Sequence, residues 1–168
     1  MKSLRAAIDR LLASVICLLM AGMAINVLWQ VFTRFVLRHP SSFTEETARY
    51  MMIWVGLLGA AYATGQRSHL ALDLITAHLQ GGRKRASEIL IHGVVLLFAL
   101  AVLVGGGGRL VWIQLSLGQQ SAALQVKLGY IYLAVPLAGV FIAFYSIVAL
   151  IEASRHPSEA PAMPADPT

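Results

Sequence analysis

The chain has 168 residues, of which 58% are hydrophobic and 12% charged, and its formal net charge is +5. A soluble domain carries about 45–50% apolar and about 25% charged residues, so an ordinary globular core is excluded and part of this chain's solvent is lipid. The Lys and Arg residues lie in short clusters beside apolar runs, not on a face interleaved with aromatics, which argues against a nucleic-acid interface and fits the positive-inside bias of a membrane protein.

Four apolar runs predict an all-α integral membrane fold with transmembrane helices at about 11–36, 46–66, 88–115 and 129–152. Together they make one membrane domain over residues 1–154, with a tail at 155–168 rich in Pro, Ala, Ser and acids that is expected to be disordered. The first run starts after Arg10 and carries no charge until Arg34, long enough to cross a hydrocarbon core of about 30 Å. A signal peptide competes for this segment, because it has Lys2, Arg5 and Arg10 ahead of it and small residues near Ala21 and Ala24. A signal core is about 7–15 residues long; this run continues through Ile25, Val27, Leu28 and Trp29, so a retained anchor is expected. Its one cysteine, Cys17, has no partner for a disulfide and no metal-ligand spacing around it, and reads as a small lipid-facing or packed side chain. Asn26 and Gln30 are suited to bonding a neighbouring helix.

After Arg34 and Arg38, Pro40 punctuates the chain and Ser42 with Glu45 forms a capping box that starts the second helix. Acidic residues there suit the positive end of the helix dipole. Arg49 stands four residues after Glu45 and three after Glu46, on their helix face. These charges serve either local helix chemistry or a partner at the membrane edge. Met51 to Leu58 then run into Gly59-Ala60-Ala61, small residues that suit close helix packing.

Beyond the second run, His69 and Asp73 share a helix face, and a short interfacial helix is expected to run toward Leu79 and end at Gly81-Gly82. Arg83, Lys84 and Arg85 are placed to meet anionic lipid headgroups. His78 and His92 fall on no metal motif. The third run contains Gly105 to Gly108, which weaken or bend the helix or admit a close neighbour, and then Arg109, a charge at a costly depth. The fourth carries Pro136 near its start.

The termini and the second loop hold Lys2, Arg5, Arg10, Arg67, Arg83, Lys84, Arg85 and Arg155; the opposite side holds Arg34, Arg38, Arg49 and Lys127. The larger group predicts cytoplasmic N- and C-termini. No catalytic constellation, cofactor site or metal site is apparent. Asp and Glu are confined to helix ends, loops and tails, and no inverted repeat is visible. A self-contained ion-coupled carrier usually keeps a carboxylate or broken helices at the midplane, so this chain is not expected to transport alone.

Three stretches resemble the small permease subunit (DctQ-like) of tripartite ATP-independent periplasmic (TRAP) transporters. They are Trp29-Gln30-Val31-Phe32-Thr33-Arg34-Phe35-Val36-Leu37, then Ser42-Phe43-Thr44-Glu45-Glu46-Thr47-Ala48-Arg49-Tyr50, then Trp54 with Gly59-Ala60-Ala61-Tyr62. His69-Leu70-Ala71-Leu72-Asp73 is similar to that family's segment after the second span, and Tyr130 to Pro136 to its fourth-span entry. The chain departs from the family at Phe43 and Gly129, where Trp is frequent, and at Ala122 and Lys127, where Pro is frequent. The resemblance implies a subunit of the bacterial inner membrane without enzymatic activity. It implies two partners: a large membrane subunit that contains the substrate and sodium sites, and a periplasmic binding protein that delivers an organic acid. Glu45, Glu46, Arg49 and Trp54 are then candidates for assembly and helix anchoring, Arg34 and Arg38 face the periplasm, His69 and Asp73 hold the cytoplasmic turn, and Arg109 touches a partner, lipid or substrate path.

Two alternatives compete. A small self-contained four-helix exporter relies on an acidic residue in the first span, and none stands there. A membrane cytochrome subunit needs two histidines at facing depths, and only His92 is a candidate.

Overall fold

The computed structural model describes residues 2–38, 42–67 and 82–155. The expected interfacial helix, with His69 and Asp73, lies outside the described residues, as does the tail beyond Arg155. The described residues are all-α: α1 Lys2–Phe35, α2 Ser42–Arg67, α3 Gly82–Phe98, a π-helical segment Ala99–Gly106, α4 Gly107–Ser116, α5 Leu128–Tyr132 and α6 Ala134–Arg155. Continuously apolar sequence leaves each segment to satisfy its own backbone hydrogen bonds, and helix does this in lipid.

Three stretches are long and apolar enough to cross a membrane: Arg5–Phe35, Ala86–Ser116 and Leu128–Ser154. They contain most of the first, third and fourth apolar runs of the sequence. The helix α2, at 26 residues, is about 39 Å long and also has the length to cross. It begins four residues ahead of the expected span, so its polar first turn, Ser42 to Glu46, precedes the apolar run that opens at Met51.

The helices pack in the order α1, α2, α6, α3, with the π segment also against α6. Consequently α6 is central and α1 peripheral: in their most apolar windows 44% of the fourth span is buried inside the protein but 6% of the first. Ala134, Ala138, Ala143, Tyr145, Ser146, Val148 and Ala149 form the interior of the fourth span. Leu18, Ile25, Leu28 and Phe35 of α1 face outward, as does Cys17. Leu12, Leu58 and Tyr145 form a buried cluster joining α1, α2 and α6, with Val15, Trp54, Tyr62 and Phe141 around it.

The third and fourth spans are both irregular where they touch. The π segment closes wider i→i+5 turns and ends on Gly105 and Gly106. Pro136 has no N–H for the Tyr132 carbonyl, and the fourth span breaks at Leu133, resuming with a 3.2 Å bond from the Leu137 N–H to the Leu133 carbonyl. A Cβ on Gly107 would stand 2.8 Å from Val135 Cγ1 and 3.2 Å from the Pro136 nitrogen; one on Gly139 would stand 2.6 Å from Leu103 Cβ. These two glycines let the helices approach. The expectation that the glycine run admits a neighbour is met inside the chain at Gly107 alone.

Candidate functional site

The first polar cluster sits where α2 begins and the third loop turns. Gly118 takes a left-handed φ of 61° and Gln125 one of 54°, and the Ser121 N–H donates to the Val126 carbonyl at 2.9 Å, so the loop closes as a tight turn with Gln120 facing Lys127. Its tip leaves the N–H groups of Ala123 and Leu124 pointing at α2. The Glu46 carboxylate receives them, Oε2 accepting at 2.7 and 3.0 Å. The Tyr50 hydroxyl, one turn along α2, donates to Oε1 at 2.7 Å, and the Ser121 hydroxyl is a further partner. Glu46 lies ahead of the apolar run, at the polar edge of the helix. Hydrogen bonds from Ser121 and Tyr50, and then from the two backbone groups, hold its carboxyl below its ordinary value, at about 2.

The Glu46 carboxylate is engaged by these four donors, two of them backbone N–H groups of the third loop, and not by the Arg49 that shares its helix face. Glu45 and Arg49 are exposed and line an open cleft with Ser42, Glu46, Ala122 and Ala123. Close by, the Asn26 amide donates to the Thr44 carbonyl at 2.7 Å, tying α1 to α2 as its residue type suggested. The Arg34 and Arg38 side chains are exposed at this same end, and Arg38 has a left-handed φ of 53° as the chain leaves α1. Gly129 packs on Leu115, whose Cγ would lie 2.5 Å from an added Cβ, so this packing excludes the family's frequent Trp.

Other expected residues lie elsewhere. Trp54 is half-buried against the Leu12–Leu58–Tyr145 cluster and so anchors helices within the chain. The backbone of Arg83, Lys84 and Arg85 lies in the first turns of α3, which begins ahead of the expected span. Arg109 is exposed on α4, well away from Glu46 along the chain. His92 is buried in α3, and its Nε2 has no hydrogen-bond partner among the described residues. Those residues include no group of three or more metal-ligating side chains.

A second polar cluster, unforeseen from the sequence, lies at the opposite end. The Arg5 guanidinium donates to the Gly65 carbonyl at 2.8 Å and stands 3.5 Å from the Glu152 carboxylate. The Tyr145 hydroxyl donates to Asp9. Gly65 makes the room for this, since a Cβ there would lie 2.7 Å from the Tyr145 ring. The available signal was a tyrosine inside an apolar span, whose hydroxyl needs a partner when buried; partners 136 residues away leave no local spacing to read.

Fold and site together define a helical membrane protein in which Asn26, Glu46, Arg5, Asp9 and Tyr145 join its own helices and loops. The family model described as "Tripartite ATP-independent periplasmic transporters, DctQ component" matches residues 23–156. The chain is 29% identical over 153 residues, 86% of its length and 82% of the relative's, to the sialic acid TRAP transporter small permease protein SiaQ of Vibrio cholerae. It is 27% identical over 153 residues, covering 90% of itself and 92% of the relative, to a protein of Haemophilus influenzae assigned as a TRAP transporter small permease protein. The chain therefore belongs to the DctQ family, the small permease component of TRAP transporters, and is a protein of the bacterial inner membrane.

Proposed function

We propose that this chain is the bracing subunit of a TRAP transporter: it crosses the inner membrane four times with both termini in the cytoplasm and holds a large transport subunit in the bilayer. That larger subunit takes up an organic acid, driven by sodium, from a periplasmic binding protein. Family membership over residues 23–156 carries the reading. The disposition of the acids supports it: Glu46, Asp9 and Glu152 are each engaged by this chain's own groups, which suits a support more than a carrier. With the loop positions of Arg34, Arg38, Glu45 and Arg49 on the periplasmic side, the cleft beside Glu46 is the surface offered to partners there.

The test is purification from native membrane in mild detergent of the chain tagged at its C-terminal tail. A much larger polytopic partner in stoichiometric amount is the expected result. A chain that arrives alone or as a homo-oligomer contradicts the reading and returns attention to a self-contained exporter.

A further inference from the structure

Residues 107–132, made of α4, the third loop and α5, are tied to one another more closely than to the rest of the chain. The helices α4 and α5 pack chiefly on each other. Gly129 lies against Leu115, where an added Cβ would stand 2.5 Å from Cγ, so the two helices meet closely beside the loop. Within the loop the Leu128 N–H donates to the Gln119 carbonyl at 3.0 Å and the Gln125 N–H to the Ser121 carbonyl at 3.1 Å. The Gly118 N–H donates to the Leu115 carbonyl at 3.2 Å. These short-range ties make the segment a stiff helical hairpin.

Its two covalent connections to the rest of the chain both run through irregular helix. On one side the π segment ends on Gly105 and Gly106, immediately before α4. On the other, α5 ends at the Leu133 break, where Pro136 lacks the N–H that a regular helix would give the Tyr132 carbonyl. Proline, glycine and π turns are where helices bend sharply. The two irregularities touch, Gly107 lying on Val135 and Pro136 with no room for a Cβ, so both legs of the hairpin turn about one level. Far from that level, at the loop tip, Glu46 of α2 accepts from the Ala123 and Leu124 N–H groups.

We propose that residues 107–132 form a rigid arm that pivots where the π segment meets the Pro136 break and is latched to α2 by Glu46. With 10 residues, α4 is about 15 Å long, so a tilt of about 20° at the pivot carries the loop tip about 5 Å. Releasing the latch moves one wall of the cleft, Ala122 and Ala123, relative to Ser42, Glu45 and Arg49. The cluster of Leu12, Leu58 and Tyr145 stays packed. Such an arm needs no partner, so it stands apart from the bracing role.

The full chain in lipid nanodiscs provides the test. Pulsed electron-spin distance measurements use nitroxides at Gln119→Cys, on the arm, and Ile147→Cys, on α6. A second pair, Leu28→Cys with Ile147→Cys, reports on the helices outside the arm; Cys17→Ser is present throughout, and all three labelled positions are exposed. Glu46→Ala should shift or broaden the 119–147 distribution by about 5 Å and leave the 28–147 distribution unchanged. Hydrogen exchange should quicken at Ala123 and Leu124 while the Gln125 and Leu128 N–H groups stay protected. Glu46→Gln, which keeps the side chain's shape and an acceptor, should move the first pair in the same direction by less. Adding Pro136→Ala to either variant returns the missing N–H and should narrow the distribution again. A 119–147 distribution unchanged in both Glu46 variants overturns the latch. Broadening accompanied by fast exchange at Gln125 and Leu128 shows a loop that unravels and overturns the rigid arm. A spread that Pro136→Ala leaves unaltered overturns the pivot.

Discussion

The two ends of this helix array are joined by similar chemistry used in different ways. At the loop end, one carboxylate on α2 gathers two backbone N–H groups and two hydroxyls, and so shapes a turn. At the terminal end, Arg5, Asp9, Gly65, Tyr145 and Glu152 draw three helices together through side chains contributed from the whole length of the chain. The first arrangement joins one helix start to one loop tip at a polar edge; the second combines a buried ring with groups near water. A single substitution is therefore expected to loosen a loop at one end and the helix packing at the other.

The largest effect should come from the terminal end. Gly65→Ala places a Cβ against the Tyr145 ring, which is 1% exposed and has little room to move. Overpacking of this kind costs about 1–3 kcal/mol, and thermal unfolding in detergent should register it, with partial recovery when Tyr145→Leu is added. Tyr145→Phe keeps the ring and removes the donor to Asp9. Losing a buried partner costs about 1–3 kcal/mol, and a double-mutant cycle with Asp9→Asn should return a coupling of similar sign. Additive effects would show that the two groups do not interact.

At the loop end, Glu46→Ala should leave helix melting nearly unchanged but speed hydrogen exchange at Ala123 and Leu124, and should weaken retention of the large subunit. Exchange raised with retention intact would reduce Glu46 to a local brace. The same carboxylate sets a pH signature. Its folded-state value lies below its ordinary 4.5, at about 2, so its contribution is complete above pH 4.5 and is lost as pH falls from there toward 2. Loop protection should be flat at neutral pH and decline only in that window, and Glu46→Gln should abolish the decline. The smallest effect is expected for Glu152→Gln. The ion pair with Arg5 is 3.5 Å long and Glu152 is 46% exposed, and such pairs contribute about 0–1 kcal/mol. Arg5 would keep its bond to the Gly65 carbonyl.

These ends also differ in how far the sequence disclosed them. Glu46 was legible because it sits beside a proline, a serine and an arginine in a short polar segment between two apolar runs. Its partners were not, since Ser121, Ala123 and Leu124 lie more than seventy residues away and a backbone N–H carries no residue signature. Trp54 was legible as an anchor, and the structure turns it inward to the α1–α2–α6 cluster. The run Gly105 to Gly108 promised close approach but did not say which glycine, or to what; only the facing positions of Val135 and Pro136 single out Gly107.

Read alone, the residues determined the all-helical membrane class, the positions of the apolar stretches and the resemblance to a small permease subunit. Each follows from one-dimensional information: hydropathy summed over about twenty residues, or a motif in order. The tertiary structure decided that α6 is central and α1 peripheral, that Glu46 serves the third loop instead of Arg49, and that Arg5, Asp9 and Tyr145 meet. In lipid nearly every residue of a span is apolar whether it faces a helix or an acyl chain, so hydropathy carries no inside and no outside. Only the steric fit of glycines against side chains, and the partners found by the few polar groups, distinguish the two.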